Sequence, residues 1–161
     1  MCTMQNYAKQ HEDFILAASY IAKERDKIVS AKIDLKDFWA MTLQVMMEYI
    51  KLGEIGTGAK KRKTSPSLAT LCLKIVSKNN AQDMTPEQCS SFYDYIMSRK
   101  DDMISFDRAS LIKSMSDVPG FTQEHLKGAL ELSLTDLDCL KVKDLSHLLL
   151  AYFTQPGIFT T

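Results

Sequence analysis

The sequence has no apolar run approaching the roughly 20 residues needed to cross a bilayer, so no membrane insertion is expected. Its cysteines are few and far apart: Cys2, Cys72, Cys89 and Cys139 form no CxxC or other short-spaced pair. His11, His125 and His147 are not spaced as partners of any cysteine pair, so no metal site is expected. Residues 1–6 read as neither a secretory signal nor an Arg-rich transit peptide, although a cleaved leader missing from the sequence is compatible with them. Reduced, mostly buried thiols in an intracellular protein are therefore the expectation. The GxGxxG, P-loop, GxSxG and HExxH signatures are absent, which argues against an enzyme and implies no cofactor. Charge of one sign is lacking too. Twenty Lys and Arg balance twenty Asp and Glu, so no global field draws the chain to nucleic acid, and any such binding must come from a local patch. A pI near 6.8 leaves little charge repulsion between copies and favours life in an assembly. Alternating strand patterns are almost missing.

Helix signals are plentiful, and they predict an all-α fold of about seven short helices in a single domain over residues 1–161. In a first helix over about 5–29, Phe14, Ala17, Ala18, Ile21 and Ile28 share one face. A second starts with Asp34 as N-cap, carries Phe38, Trp39, Val45, Met46, Tyr49 and Ile50, and stops at Gly53. Ser65-Pro66 opens a third, buried through Leu68, Leu71, Cys72, Ile75 and Val76. Thr85-Pro86-Glu87-Gln88 is a complete capping box opening the fourth. Ser105, Thr122 and Lys143-Asp144 mark the starts of three more, and Pro-Gly pairs at 119–120 and 156–157 close two of them. The methionines Met41, Met46 and Met47 read as core filler in the second helix, with an adaptable partner groove as the other reading.

The acidic spots Glu12-Asp13, Asp101-Asp102 and Asp136-Asp138 are expected at helix starts or turns, where carboxylates complement the helix dipole. His147, amid leucines, is expected to be a half-buried side chain bonded to a neighbouring carbonyl. Residues 53–65 form the one irregular stretch, a flexible loop with three glycines followed by Lys60, Lys61, Arg62 and Lys63. Four adjacent cations fit three roles: contact with nucleic-acid phosphates, a nuclear-import signal, or a solvated loop. Thr64 and Ser65 beside them are positioned for a phosphorylation that would cancel charge. No aromatic interleaves the run, so base stacking there is not supported.

The last third is weakly self-similar. Phe106–Ile112 leading to Pro119-Gly120 matches Val142–Leu148 leading to Pro156-Gly157 at an offset of about 36, the length of a helical-hairpin repeat. Lys36-Asp37-Phe38-Trp39 is a more degenerate third copy. A solenoid of such hairpins and a compact bundle both fit this pattern. Residues 143–153, KDLSHLLLAYF, resemble the helix that recurs in the FAST-kinase-like, RAP-domain and octotricopeptide-type organellar repeat proteins. The resemblance covers about the last 70 residues, and no RAP domain is expected with it. It implies mitochondrial or plastid RNA metabolism or ribosome assembly.

Together these features point to a non-enzymatic helical scaffold whose partners are other proteins and, through the basic loop, RNA, as in an organellar ribonucleoprotein. The alternative is a compact helical bundle acting as a protein-binding regulator of the Bcl-2-like kind, cytoplasmic or nuclear.

Overall fold

A computed structural model describes residues 4–55, 62–135, 140–154 and 157. The chain is all-α, with eight α-helices among the described residues: α1 (Met4–Lys23), α2 (Arg25–Ser30), α3 (Lys36–Leu52), α4 (Pro66–Asn79), α5 (Pro86–Ser98), α6 (Ser105–Ser116), α7 (Gln123–Leu134) and α8 (Val142–Thr154). A two-residue antiparallel ladder, β1 (Glu54–Ile55) with β2 (Arg62–Lys63), joins α3 to α4. The first helix expected from periodicity is divided at Glu24, whose ψ of 8° departs from helical geometry. The packing separates two compact units, Met1–Asn79 and Asn80–Thr161.

In the first unit α1, α3 and α4 pack against one another. His11 meets Glu48 and Phe14 meets Phe38, so α1 runs antiparallel to α3. Ser65 meets Tyr49 and Cys72 meets Thr42, so α4 runs antiparallel to α3 and parallel to α1. Ala18, Trp39 and Ile75 form a core between the three helices, flanked by Phe14, Ile21 and Phe38. Met46 and Met47 are buried as core filler, whereas Met41 is exposed. Ala17 is exposed too, because it lies off the line of Ile15 and Ala18 that faces the core.

Most start and stop signals act as expected, but the N-cap of α3 is Leu35, without a side-chain cap, rather than Asp34. The Asp34 carboxylate accepts from the Lys36 N–H at 2.9 Å, and Gly53 ends α3 at φ 63°, a conformation that L side chains resist. The Ser65 hydroxyl accepts from the Leu68 N–H at 3.3 Å. Thr85 and Gln88 form the reciprocal capping box of α5. Thr122 forms a second box in α7, with His125 in the place usually taken by Glu or Gln.

In the second unit α6 packs against both α7 and α8, and eight of its side chains are buried. Phe92 of α5 lies edge-on to Phe121 at 6.2 Å, and the Tyr93 ring sits 4.6 Å from His125 of α7. Gly128 makes that approach possible, since a Cβ there would overlap the Tyr93 hydroxyl. The third residue of α6 is Asp107 and the third of α8 is Asp144, both buried. Leu111 with Leu148 and Ser114 with Ala151 continue the same buried row, which aligns the two helices at an offset of 37.

Candidate nucleic-acid interface

The ladder between α3 and α4 stands on a polar network. The Tyr49 hydroxyl, fully buried, donates to the Glu12 carboxylate at 2.8 Å and accepts from the Ser65 N–H at 2.6 Å. His11 bonds Glu48 at 2.8 Å, and Gln44 donates to the other oxygen of Glu48 at 3.1 Å. The Thr64 N–H and hydroxyl both donate to the Gly53 carbonyl, at 2.9 and 3.1 Å. Burial of the Tyr49 hydroxyl, the His11 ring and the Thr64 hydroxyl is tolerable because each finds a partner. Ser65, just after the ladder, is thereby tied to α3 and through Tyr49 to α1, and Thr64 is tied to the end of α3 at Gly53.

Of the four predicted site residues, Arg62 and Lys63 form β2, with Lys63 exposed and paired in register with Glu54. Lys60 and Lys61 lie outside the described residues. Thr64 is 1 % exposed, so the phosphorylation envisaged for it is blocked in the folded state. Glu12-Asp13 sits within α1 rather than at a helix start, because Glu12 serves the Tyr49 network. Asp101-Asp102 falls in a short 3-10 turn, as expected, while Asp136-Asp138 lies outside the described residues. His147 is half-buried, its ring edge-on to Phe106 at 5.6 Å.

Dividing the chain by its packing exposes a charge pattern that the neutral total conceals. Residues 1–79 carry thirteen Lys and Arg against eight Asp and Glu, a net +5, and residues 80–161 carry seven against twelve, a net −5. The basic run is therefore part of a basic unit rather than an isolated point. The two nets cancel across the boundary near residue 79, which is why the total is zero.

The second unit offers different surfaces. A cavity of about 520 Å³ is lined by Tyr93, Lys100, Asp101, Arg108 and Glu131, with the two signs balanced. Arg108 is committed there, donating to Thr135 at 2.9 Å and to the Lys100 carbonyl at 2.7 Å. Burial, then Glu131 and Asp94, push the Tyr93 phenol above its ordinary pKa. On α8, Val142, Leu145, Leu149, Tyr152 and Phe153 are exposed along one face, while Asp144, Leu148 and Ala151 fill the opposite one.

The thiols of Cys72 and Cys89 are reduced and buried, as expected. Burial pushes Cys72 up to about 12 and Cys89 up to about 11, which disfavours the reactive thiolate. Among the described residues no group of three or more His, Cys, Asp or Glu side chains could hold a metal, and no helix is long and apolar enough to cross a membrane.

No protein-family model matches the sequence, and comparison with curated proteins and with solved structures returns no match.

Proposed function

We propose that this chain is a non-enzymatic helical scaffold that binds RNA through its basic N-terminal unit, as a subunit of an organellar ribonucleoprotein. The observation that carries the reading is the concentration of +5 in residues 1–79, with Arg62 and Lys63 in β2 two residues before the Ser65–Tyr49 bond. Phosphate contact needs cations that reach oxygens along a strand, and most such binding is electrostatic. Replacing Lys60, Lys61, Arg62 and Lys63 by alanine is expected to leave the helical signal intact and to weaken binding of single-stranded RNA. The slope of log K against log salt should shrink by up to roughly 3, at about 0.7 for each lost phosphate contact. Equal affinity at every salt concentration would sink the proposal.

The exposed apolar face of α8 favours a second reading, a protein-binding helical regulator. Leu145→Glu with Leu149→Glu separates the two: it should abolish capture of a partner protein and leave RNA affinity as it was.

A further inference from the structure

α8 is covered on one side only. Asp144, Leu148 and Ala151 face the core of the second unit, while Val142, Leu145, Leu149 and Phe153 are 82, 47, 58 and 78 % exposed. On a helix of 3.6 residues per turn these four fall in one stripe, about 80° wide and about 16 Å long. No charge interrupts it. Ser146, at its edge, donates its hydroxyl to the Val142 carbonyl at 3.0 Å, so covering it leaves no bond unmet. Lys143 stands off the line, its ammonium 5.2 Å from the Phe106 ring. The Asp144 carboxylate is turned inward and accepts from the Lys141 N–H at 2.8 Å.

Two gradients run along this helix. The stripe begins with the small Val142 and ends with the large Phe153. Charge changes in the same direction: Lys141 and Lys143 are exposed at the N-terminal end, which the dipole already makes positive, and the last turn, the negative end, carries no basic side chain. A second α8 laid antiparallel on the first matches both gradients. Val142 then meets Phe153 of the second copy, the lysines reach that copy's C-terminal carbonyls, and Leu145 and Leu149 interleave at the centre. A parallel pair would set large against large and lysine against lysine. The antiparallel arrangement is also the one that a two-fold axis generates from a single self-complementary patch.

The area is sufficient for a weak association. Two such stripes face to face withdraw on the order of 1,000 Å² from water, the lower bound of specific interfaces. That corresponds to a reversible dimer with a dissociation constant on the order of 10–100 μM, and the chain is a monomer at the few micromolar of an unfolding experiment. A formal net charge of zero adds no overall repulsion between copies.

We propose that the exposed face of α8 is the contact of a homodimer, packed antiparallel on α8 of a second copy about a two-fold axis. The proposal names the partner for the face on which the protein-binding reading rests, and it is independent of the RNA-binding one.

The test is sedimentation equilibrium of the full chain from about 5 to 500 μM in about 0.5 M NaCl, where attraction between oppositely charged units is screened. The weight-average mass should climb from 18.2 kDa towards twice that value and stop there. Leu145→Glu with Leu149→Glu should weaken the dimer about tenfold or more, with the helical signal kept because both positions are exposed. Orientation is read from charge. Val142→Glu with Phe153→Lys should dimerise nearly as the parent does, since opposite charges meet at both ends, whereas Val142→Glu with Phe153→Glu should stay monomeric. A parent chain that is monomeric at every concentration would overturn the homodimer, and the protein-binding reading would then be judged separately by capture of a foreign protein. Growth past twice the monomer mass, undiminished association of the Leu145→Glu/Leu149→Glu chain, or a charge-swapped chain no better than the two-glutamate one would each overturn it as well.

Discussion

The Ser65 N–H donates to the Tyr49 hydroxyl at 2.6 Å, so the first turn of α4 is fastened to the buried face of α3 through one oxygen. That oxygen also donates to Glu12, and one atom therefore joins three helical segments. Tyr49→Phe keeps the ring and removes the oxygen, leaving a donor and a carboxylate short of one partner each. The expected loss is about 1–3 kcal/mol in denaturant unfolding. Amide exchange at Thr64 and Ser65 should quicken. Unchanged exchange there would show that the ladder is held by other means.

Gly120 faces a crowded site. A Cβ would lie 2.7 Å from the Cys89 sulfur and 3.1 Å from the Met84 carbonyl oxygen. Cys89 is fully buried and the carbonyl is backbone, so neither yields easily. Gly120→Ala should cost about 1–3 kcal/mol through overpacking. A stability equal to the parent in a thermal melt would contradict this crowding.

The buried thiols give stability a dependence on alkaline pH. Below the ordinary thiol pKa both folded and unfolded chains hold their protons, and stability is full. Above it the unfolded chain ionises while Cys72, raised to about 12, and Cys89, raised to about 11, do not. Stability should therefore fall as pH rises from about 9, by about 1.4 kcal/mol per pH unit for each thiol. A Cys72→Ala chain should show the shallower decline, and an identical slope in both would remove Cys72 from the account.

The two faces of α8 should respond differently. Leu148 is 8 % exposed and faces the core, and Leu149 is 58 % exposed. Leu148→Ala is expected to cost about 2–4 kcal/mol. Leu149→Glu should remain within about 0.5 kcal/mol of the parent. A large loss from Leu149→Glu in urea unfolding would mean that this face is already covered.

Much of the fold was legible because its signals are local. Gly53, Ser65-Pro66 and Thr85–Gln88 each satisfy or relieve nearby backbone groups, and they act where the sequence places them; Asp34 acts one residue early, because the helix starts after Leu35. The capping role of His125 was missed because only Glu and Gln are usually sought three residues after the cap. The break at Glu24 was missed because the apolar spacing continues through it to Ile28. Interfaces that join distant segments were beyond reach. Nothing near Tyr49 in sequence announces Glu12 or Ser65.

The opposite charges of the two units bear on how the protein behaves on a column. At a pH near 6.8 the chain as a whole is neutral, yet residues 1–79 and 80–161 present +5 and −5. An ion exchanger reads the patch it touches rather than the sum, so at low ionic strength both a sulfonate and a quaternary-amine resin should retain the protein. Copies in solution face the same choice, and opposite units of different molecules attract until salt on the order of 0.15 M shortens the reach of the field to about 8 Å.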